Sequence, residues 1–503
     1  MREIIGGLLK KPTHENLERL RREYARKHGK VLSNADILAE CSEEERAELK
    51  VLKTKPVRSL SGITVLAVMY PGFKCPGECI YCPTSEIAPK SYTGYEPATR
   101  RARSNEFDPY RQVTNRLKQL REGGHVTDKC ELIVMGGTFP SEKPEYQAKF
   151  VKRCFDALNG KTSKTLRSAQ MLNESARNRC TGLTVETRPD FCSQKEINVM
   201  LGLGATRVEL GVQSIYDDVL KKVSRGHSVE ATAKASMLAR EAGMKVVYHI
   251  MPGLPGSDKK RDVEMFRGLF SDPRFRPDMM KIYPCLVIPG TKLHEMWKKG
   301  EYVPYSAEDI VDVVAKATNY FPRYLRIMRM QRDIPINKIA AGSQKSNITE
   351  LVAERLAEEE RSCPCIRCRE VGRRGVKVSD LGLEKIEYEA SGGKEVFLSY
   401  EDKGTDSIAA FLRLRLGSIP VVRELRVYGE QVPIGRRISS AKQHFGLGKS
   451  LLEEAERIAG GGKLYVLSGI GTKPYYRNLG YRDDGFYVSK EIGKKVKGKN
   501  SHD

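Results

Sequence analysis

The sequence predicts an α/β protein: a long strand–helix series, then a smaller α+β domain, with a basic helical region ahead of both. Three observations carry this expectation. From about residue 61, short apolar runs with polar tips alternate with helical stretches, the pattern of a parallel sheet, open or closed into a barrel. Near residue 385 the texture changes to "EVFLSYED", "SIAAFLRLRL" and "VVRELRVYG", followed by a glycine loop and a helix. Residues 10–30 hold Lys10, Lys11, Arg19, Arg21, Arg22, Arg26, Lys27 and Lys30 against three acids, with Leu17, Leu20 and Tyr24 at helical spacing on one side. The implied domains are 1–60, basic and helical; 61–345, the strand–helix series; 346–385, a cysteine-bearing linker; and 386–503, the second domain.

In chain order, the first element is an amphipathic helix laid over a core, its free face offering Arg19, Arg21, Arg22, Arg26 and Lys27 to phosphates. Strands of the series are expected at 63–69, 129–137, 182–187, 205–214, 244–256 and 279–287, with helices such as 230–243 between them. Ligands of such sheets sit at the strand C-terminal ends. There the sequence places Gly136, Gly137, Glu186, Arg188, Gln213 and Ser214. Beyond the series, "FPRYLRIMRMQRDIP" sets Arg323, Arg326, Arg329 and Arg332 three apart, which predicts a second basic surface, a ridge.

Composition narrows the function. The 503 residues carry 87 Lys+Arg against 64 Asp+Glu, a formal net charge of +23. That excess suits a polyanionic partner, nucleic acid above all. No run of about 18 apolar residues is present, so no membrane-spanning helix is expected. The start has an acid at Glu3 and no cleavable apolar core, so a signal peptide is not expected and the cytoplasm is the expected compartment. Clustered cysteines there mean metal or redox chemistry more often than disulfides. Of the 12 cysteines, Cys41, Cys130, Cys154, Cys180, Cys192 and Cys285 are scattered and expected as small buried hydrophobes.

The other six form two clusters. In "PGFKCPGECIYCP", Cys75, Cys79 and Cys82 have the spacing C-x3-C-x2-C, three thiols with no fourth ligand close by. Three thiolates cannot close a tetrahedral zinc site, but they can hold a 4Fe–4S cluster and leave one iron open to a substrate. This spacing, with Tyr81 before the last cysteine and a strand just upstream, resembles the radical S-adenosylmethionine (SAM) enzymes. The resemblance implies a partial (β/α) barrel, a 4Fe–4S cluster on the three cysteines, SAM bound near Tyr81, Gly136 and Gly137, and a reductant for the cluster. "MGGT" at 135–138 resembles the family's Gly-Gly-Glu element, with Thr138 departing from it. In "CPCIRC", Cys363, Cys365 and Cys368 again supply three thiols, without a preceding strand of the series. A structural zinc is expected, its fourth ligand from elsewhere (Cys285 or a histidine), with a second iron–sulfur cluster as the alternative.

In the second domain, "QHFGLGKSLLEEAERIA" feeds a glycine turn into a helix whose Leu451, Leu452, Ala455 and Ile458 form an apolar face. Such a turn presents backbone N–H groups to a pyrophosphate. Together with the strands before it and "LYVLSGIGTKPYYRNLGY" after it, the series resembles the GCN5-related N-acetyltransferases. The resemblance implies that Gln443, Gly446, Leu447, Gly448 and Lys449 hold the acetyl-CoA pyrophosphate and that Leu425, Arg426 and Val427 run along the pantetheine. Tyr475 or Tyr476, Tyr476 preferred, would lie near the sulfur, where a phenol can protonate a leaving thiolate. Glu424 is the nearest candidate for a general base.

Both signatures in one chain, with "KPVRSLSGITVLAVM", "SYTGYEPATRRAR", "VMGGTFPS", "QRDIPI", "CIRCREVG" and "EEAERIA", resemble the catalytic subunit of Elongator in a stand-alone, prokaryotic-type form. The resemblance implies modification of the tRNA wobble uridine to 5-carboxymethyluridine from acetyl-CoA and SAM, with the anticodon stem-loop as partner; a homodimer is left open. A protein lysine acetyltransferase would leave the iron–sulfur motif idle, and an inactive tRNA-binding scaffold would leave both motifs idle.

Overall fold

The computed structural model describes residues 1–55, 62–72, 75–376, 380–429 and 446–493. Seven strands, β1 (Thr64–Met69), β2 (Lys129–Met135), β3 (Arg179–Thr187), β4 (Arg207–Gln213), β5 (Lys245–Ile250), β6 (Met279–Ile282) and β7 (Arg326–Arg329), form one sheet in sequence order. Every neighbouring pair is parallel. Strands covered on both faces need near-continuous apolar runs. Val208, Leu210 and Val212 of β4 and Val246, Tyr248 and Ile250 of β5 supply them, packing with Phe155, Ile197, Met200 and Phe266 of the surrounding helices.

β7 corrects an expectation. The arginine-rich stretch at 321–335 contributes a short strand at the end of the sheet, paired with β6, and its arginines do not form a ridge. Arg323 pairs with Glu401 (2.6 Å) and Asp406 (2.7 Å), and Arg326 with Glu370 (3.1 Å) and the Tyr428 hydroxyl (2.6 Å). Both are therefore committed to carboxylates and a phenol of the chain beyond residue 369. The helix Ile348–Glu358, in the expected linker, places Ile348, Val352 and Leu356 in the same core as the strands.

The second sheet has the order β13-β14-β12-β11-β10-β9-β8, from β8 (Leu381–Ala390), β9 (Gly393–Asp402), β10 (Ser407–Leu416), β11 (Pro420–Val427), β12 (Gly462–Val466), β13 (Arg482–Asp484) and β14 (Tyr487–Ile492). All its pairs are antiparallel except β11 with β12. That parallel pair holds only at Val421↔Tyr465 and Val422↔Val466 and then parts. β11 continues against β10 to Val427, so among the described residues its other edge is free from residue 423 onward. The helix Leu447–Ala459 buries Leu451, Leu452 and Ala455 on this sheet, as its spacing predicts.

At the N-terminus, Thr13 caps the helix His14–His28 by accepting from the Asn16 N–H, and Gly29 ends it in the left-handed conformation. Leu17, Leu20 and Tyr24 pack on Ile4, Leu8 and Ile37 in a small separate core. Arg19, Arg22, Arg26 and Lys27 are exposed, as expected. Arg21 is half-buried, bonded to Glu18 (3.0 Å) and to Asn34, so it braces the helix against the start of the next one, Asn34–Ala39. No helix among the described residues is long and apolar enough to cross a membrane.

A buried ionic hub joins the two sheets. Arg423 of β11 donates both terminal nitrogens to Asp278 (2.8 and 2.6 Å), which immediately precedes β6, and also bonds Glu395 of β9 (2.7 Å). Arg240 reaches Glu395 (3.2 Å) and Asp278 (3.5 Å) from the first domain, and Arg415 of β10 bonds Glu395 (3.0 Å). Each of these side chains is at most 1% exposed. Burial alone would raise the Asp278 carboxyl; the guanidiniums of Arg240 and Arg423 outweigh it and hold it well below the usual range.

Candidate functional site

The cysteine triad lies in a cavity at the C-terminal ends of the first sheet's strands, where a parallel α/β sheet places its ligands. Cys79 and Cys82 are hydrogen-bond partners, and Arg225 donates to the Cys79 sulfur (3.4 Å). The bond from Cys82, supported by Arg225, pulls the Cys79 thiol down to about 5. A thiolate is the form that ligates iron. Cys75 lies 3.7 Å from the Thr138 hydroxyl, on the segment after β2. Tyr81, Gly137 and Thr138 line the cavity as expected. Gly136 stands at φ +132°, and a Cβ there would lie 2.6 Å from the Tyr70 ring, so the turn after β2 needs glycine. The buried atoms Arg188 Nη1 and Gln213 Oε1 in the cavity wall lack hydrogen-bond partners among the described residues, which suits a polar ligand beside the thiols. The donor set fits a three-cysteine cluster with SAM.

Sequence reasoning missed much of the wall. Glu209 is fully buried, bonded to His249 (2.8 Å) and to the Lys281 ammonium, which also stands 3.6 Å from Glu186. Glu186, Glu209 and His249 offer ligand atoms within 4.8 Å of one another, and the Lys281 ammonium already bridges the two carboxylates. Arg329 and Arg332, expected on a ridge, line this cavity instead; Arg329 pairs with Asp333, and Arg332 lies 5.6 Å from the Tyr92 ring centroid.

A second cleft opens where β11 and β12 part. Leu425, Arg426, Val427 and Tyr476 line it, together with Lys129, Thr181 and Lys245 at the starts of β2, β3 and β5. The cleft therefore abuts the end of the first sheet opposite to the cysteines. Gly446 caps the helix Leu447–Ala459, and a Cβ on Gly448 would sit 3.1 Å from the Tyr475 hydroxyl and 3.4 Å from Val427, so this helix start lies close to the free strand edge. Leu447 is partly buried; Lys449 is exposed and pairs with Glu453 (3.6 Å). Gln443 lies outside the described residues. Tyr475 is 43% exposed, whereas Tyr476 is buried with Tyr481 in the second core, its phenol pushed up by burial and thus kept protonated.

Glu424 corrects an expectation. It is buried and bonded to Arg413 (3.0 Å); burial raises its carboxyl, but Arg413, Arg426 and Lys245 win and hold it below the ordinary value, a poor setting for a general base. Lys245, pulled down to about 8 by burial, is closer to neutrality. The buried Ser468 hydroxyl, in the cleft lining, has no hydrogen-bond partner among the described residues, and Glu424 Oε1 meets the Arg426 guanidinium at 3.5 Å.

A file of charged side chains runs between the two cavities. Arg426 stands 3.6 Å from Glu131; Glu131 contacts Arg207; Arg207 lies 3.7 Å from Glu209; and Glu209 holds His249 and Lys281 in the cysteine cavity.

The sulfurs of Cys363, Cys365 and Cys368 lie within 4.8 Å of one another, with Cys365 favoured as the thiolate by bonds from its two neighbours. No fourth ligand joins them among the described residues. Cys285 is not that ligand, since it packs with Tyr302 and Cys79 in a different cluster.

A parallel strand–helix sheet with three cysteines at its ligand end defines a radical SAM enzyme. Residues 69–267 match the radical SAM superfamily, residues 277–358 the radical SAM C-terminal domain, and residues 1–60 the ELP3 N-terminal domain. A tRNA uridine(34) acetyltransferase of Methanocaldococcus infernus is 50% identical over 92% of this chain and 91% of its own length. Human Elongator complex protein 3 is 41% identical over 97% of this chain and 96% of its own. The solved structure of archaeal Methanocaldococcus infernus Elp3, lacking residues 1–46 of its own chain, superposes with a TM-score of 0.77 at 47% identity, covering 86% of this chain and all of that one. The chain belongs to the Elp3 family.

Proposed function

We propose that the protein converts the wobble uridine of tRNA to 5-carboxymethyluridine, taking two carbons from acetyl-CoA. The observation that carries this reading is the placement of two cavities at opposite ends of one sheet, one lined by the cysteine triad and the other by a free strand edge beside a glycine-capped helix. The second is the arrangement expected of a GCN5-related acetyltransferase. The names of the relatives supply the class of substrate. When bound to the triad, a 4Fe–4S cluster with SAM supplies a radical able to take hydrogen from an unactivated methyl group. Cys75, Cys79 and Cys82 would hold that cluster, and Arg225 would keep Cys79 ionised. In the second cleft, Leu425 to Val427 would pair with the pantetheine, and the backbone N–H groups at the start of the helix Leu447–Ala459 would meet the pyrophosphate. Joining the acetyl methyl carbon to carbon 5 costs each carbon one hydrogen, a two-electron oxidation that the cleavage of one SAM to methionine and 5′-deoxyadenosine would balance with release of a proton; hydrolysing the thioester then leaves the carboxylate and releases CoA. The exposed basic face of the helix His14–His28 would grip tRNA phosphates.

A thioester is wasted if hydrolysed before tRNA docks, so CoA release should depend on tRNA. Tyr476→Phe removes one oxygen and little volume. It should keep tRNA affinity while tRNA-stimulated CoA release falls tenfold or more, about 1.4 kcal/mol at the barrier. Release that runs equally fast without tRNA, or a variant as fast as the wild type, would refute this coupling.

The second triad is read as a zinc site. Ligand-bound metal contributes its binding energy to folding. Cys365→Ser should therefore lower the melting temperature and remove zinc detectable by mass spectrometry; a zinc-free wild type with an unchanged variant would reject the site.

A further inference from the structure

Two tyrosines of the turn that borders the cysteine cavity, Tyr92 in its lining and Tyr95 just outside it, differ in exposure. Tyr92 is buried and donates to Glu186 (3.2 Å), whereas Tyr95, at the outer rim, is 42% exposed. Single exposed aromatics are ordinary, but the mount of this one is not. Glu96, itself buried, ties the turn beneath it. Its Oε1 accepts from the Thr93 N–H (2.8 Å) and hydroxyl (3.0 Å), and its Oε2 from the Gly94 N–H (3.2 Å) and the Thr99 hydroxyl (3.1 Å). Arg103 donates to the Gly94 carbonyl (3.2 Å). The backbone carrying the ring is thus fixed while the ring stays open to solvent.

Across the rim, the Lys338 ammonium lies 4.1 Å from the Tyr95 ring centroid. Ile336, two residues before it, is 50% exposed, and Ile87, packed under the same turn at Gly94, is 37% exposed. Arg329 and Arg332 continue the rim into the cavity. A rigid aromatic face with aliphatic neighbours and cations is the chemistry that holds an unpaired nucleobase and its phosphates.

We infer that Tyr95 is a stacking platform for an unpaired nucleobase adjacent to the nucleotide that enters the cavity, with Lys338 against the ring. This rests on the reading of an RNA substrate given above. It makes Tyr95 a positioning residue: the flanking base, once stacked, fixes how far the target nucleotide reaches toward the thiols.

The test uses the full chain and an anticodon stem-loop RNA carrying 2-aminopurine, in separate molecules, on either side of the target uridine. Wild type and Tyr95→Phe should bind alike and quench one of the two probes. Tyr95→Ala should bind roughly fivefold or more weakly and lose that quenching, with iron content and melting temperature unchanged. A Tyr95→Ala protein that binds and quenches like the wild type overturns the platform while the RNA reading stands. Failure of all three proteins to bind the stem-loop overturns the RNA reading and the platform with it.

Discussion

Replacing Cys75, Cys79 and Cys82 together with serine should abolish both iron binding and SAM cleavage and leave the protein folded. The size of this effect follows from the ligand chemistry. A serine hydroxyl does not ionise near neutral pH, whereas Cys79 is already biased to the thiolate by Cys82 and Arg225. Three ligands at once remove every protein bond to the cluster, so iron should drop from about four per chain to near none after anaerobic reconstitution. The fold should survive because the exchange changes one atom per site. The sheet that carries the cavity is held by residues such as Leu132, Val185 and Val208, remote from the sulfurs in composition and role. Iron quantification, absorbance and melting temperature on one preparation decide the matter. A triple variant that still loads four irons would show that the cluster is held elsewhere.

Asp278→Asn should lower the thermal midpoint by about 3–5 °C. Asparagine keeps the shape but removes the charge that faces Arg423 at 2.8 and 2.6 Å and Arg240 at 3.5 Å. Breaking one side of a buried ion pair costs about 3–5 kcal/mol, because the remaining charges cannot be hydrated. Glu395, which also serves Arg415, would then be the carboxylate left to Arg240 and Arg423. The exposed pair Arg267–Glu264 is the control: Glu264→Gln should leave the midpoint nearly unchanged, since water screens it. Calorimetry of the three proteins measures both. A midpoint for Asp278→Asn equal to that of the control would show that the hub does not hold the domains.

The six expected strands of the first sheet were legible because buried parallel strands write themselves as apolar runs, and β4 and β5 do so with little interruption. β7 was not legible. Four residues with two arginines carry no periodicity that separates a short edge strand from a charged surface. The cysteine triads were legible from spacing alone, since ligands to one centre on one loop leave a local signature. The wall facing the first triad was not. Glu209, His249 and Lys281 lie on three different strands, and only the parallel register brings β4, β5 and β6 side by side. Glu424 misled for a related reason: a carboxylate on a strand looks the same in sequence whether it meets water or three cations. The preference for Tyr476 over Tyr475 came from resemblance, and local spacing could not have distinguished a buried phenol from its exposed neighbour.

The ionic hub also bears on how this chain can be divided. Its topology has a clear seam near residue 380, between the end of one sheet's helices and the start of β8. Its charges have no such seam. A fragment beginning there would carry Arg413, Arg415 and Arg423 with Asp278 and Glu241 left behind, and the other fragment would keep those acids with Arg240 as the sole hub cation. Each piece would turn a neutral interior into a charged, unsatisfied surface. The seam therefore marks where two architectures meet, and the two halves are thermodynamically one object: they mature together, and neither is an interchangeable part.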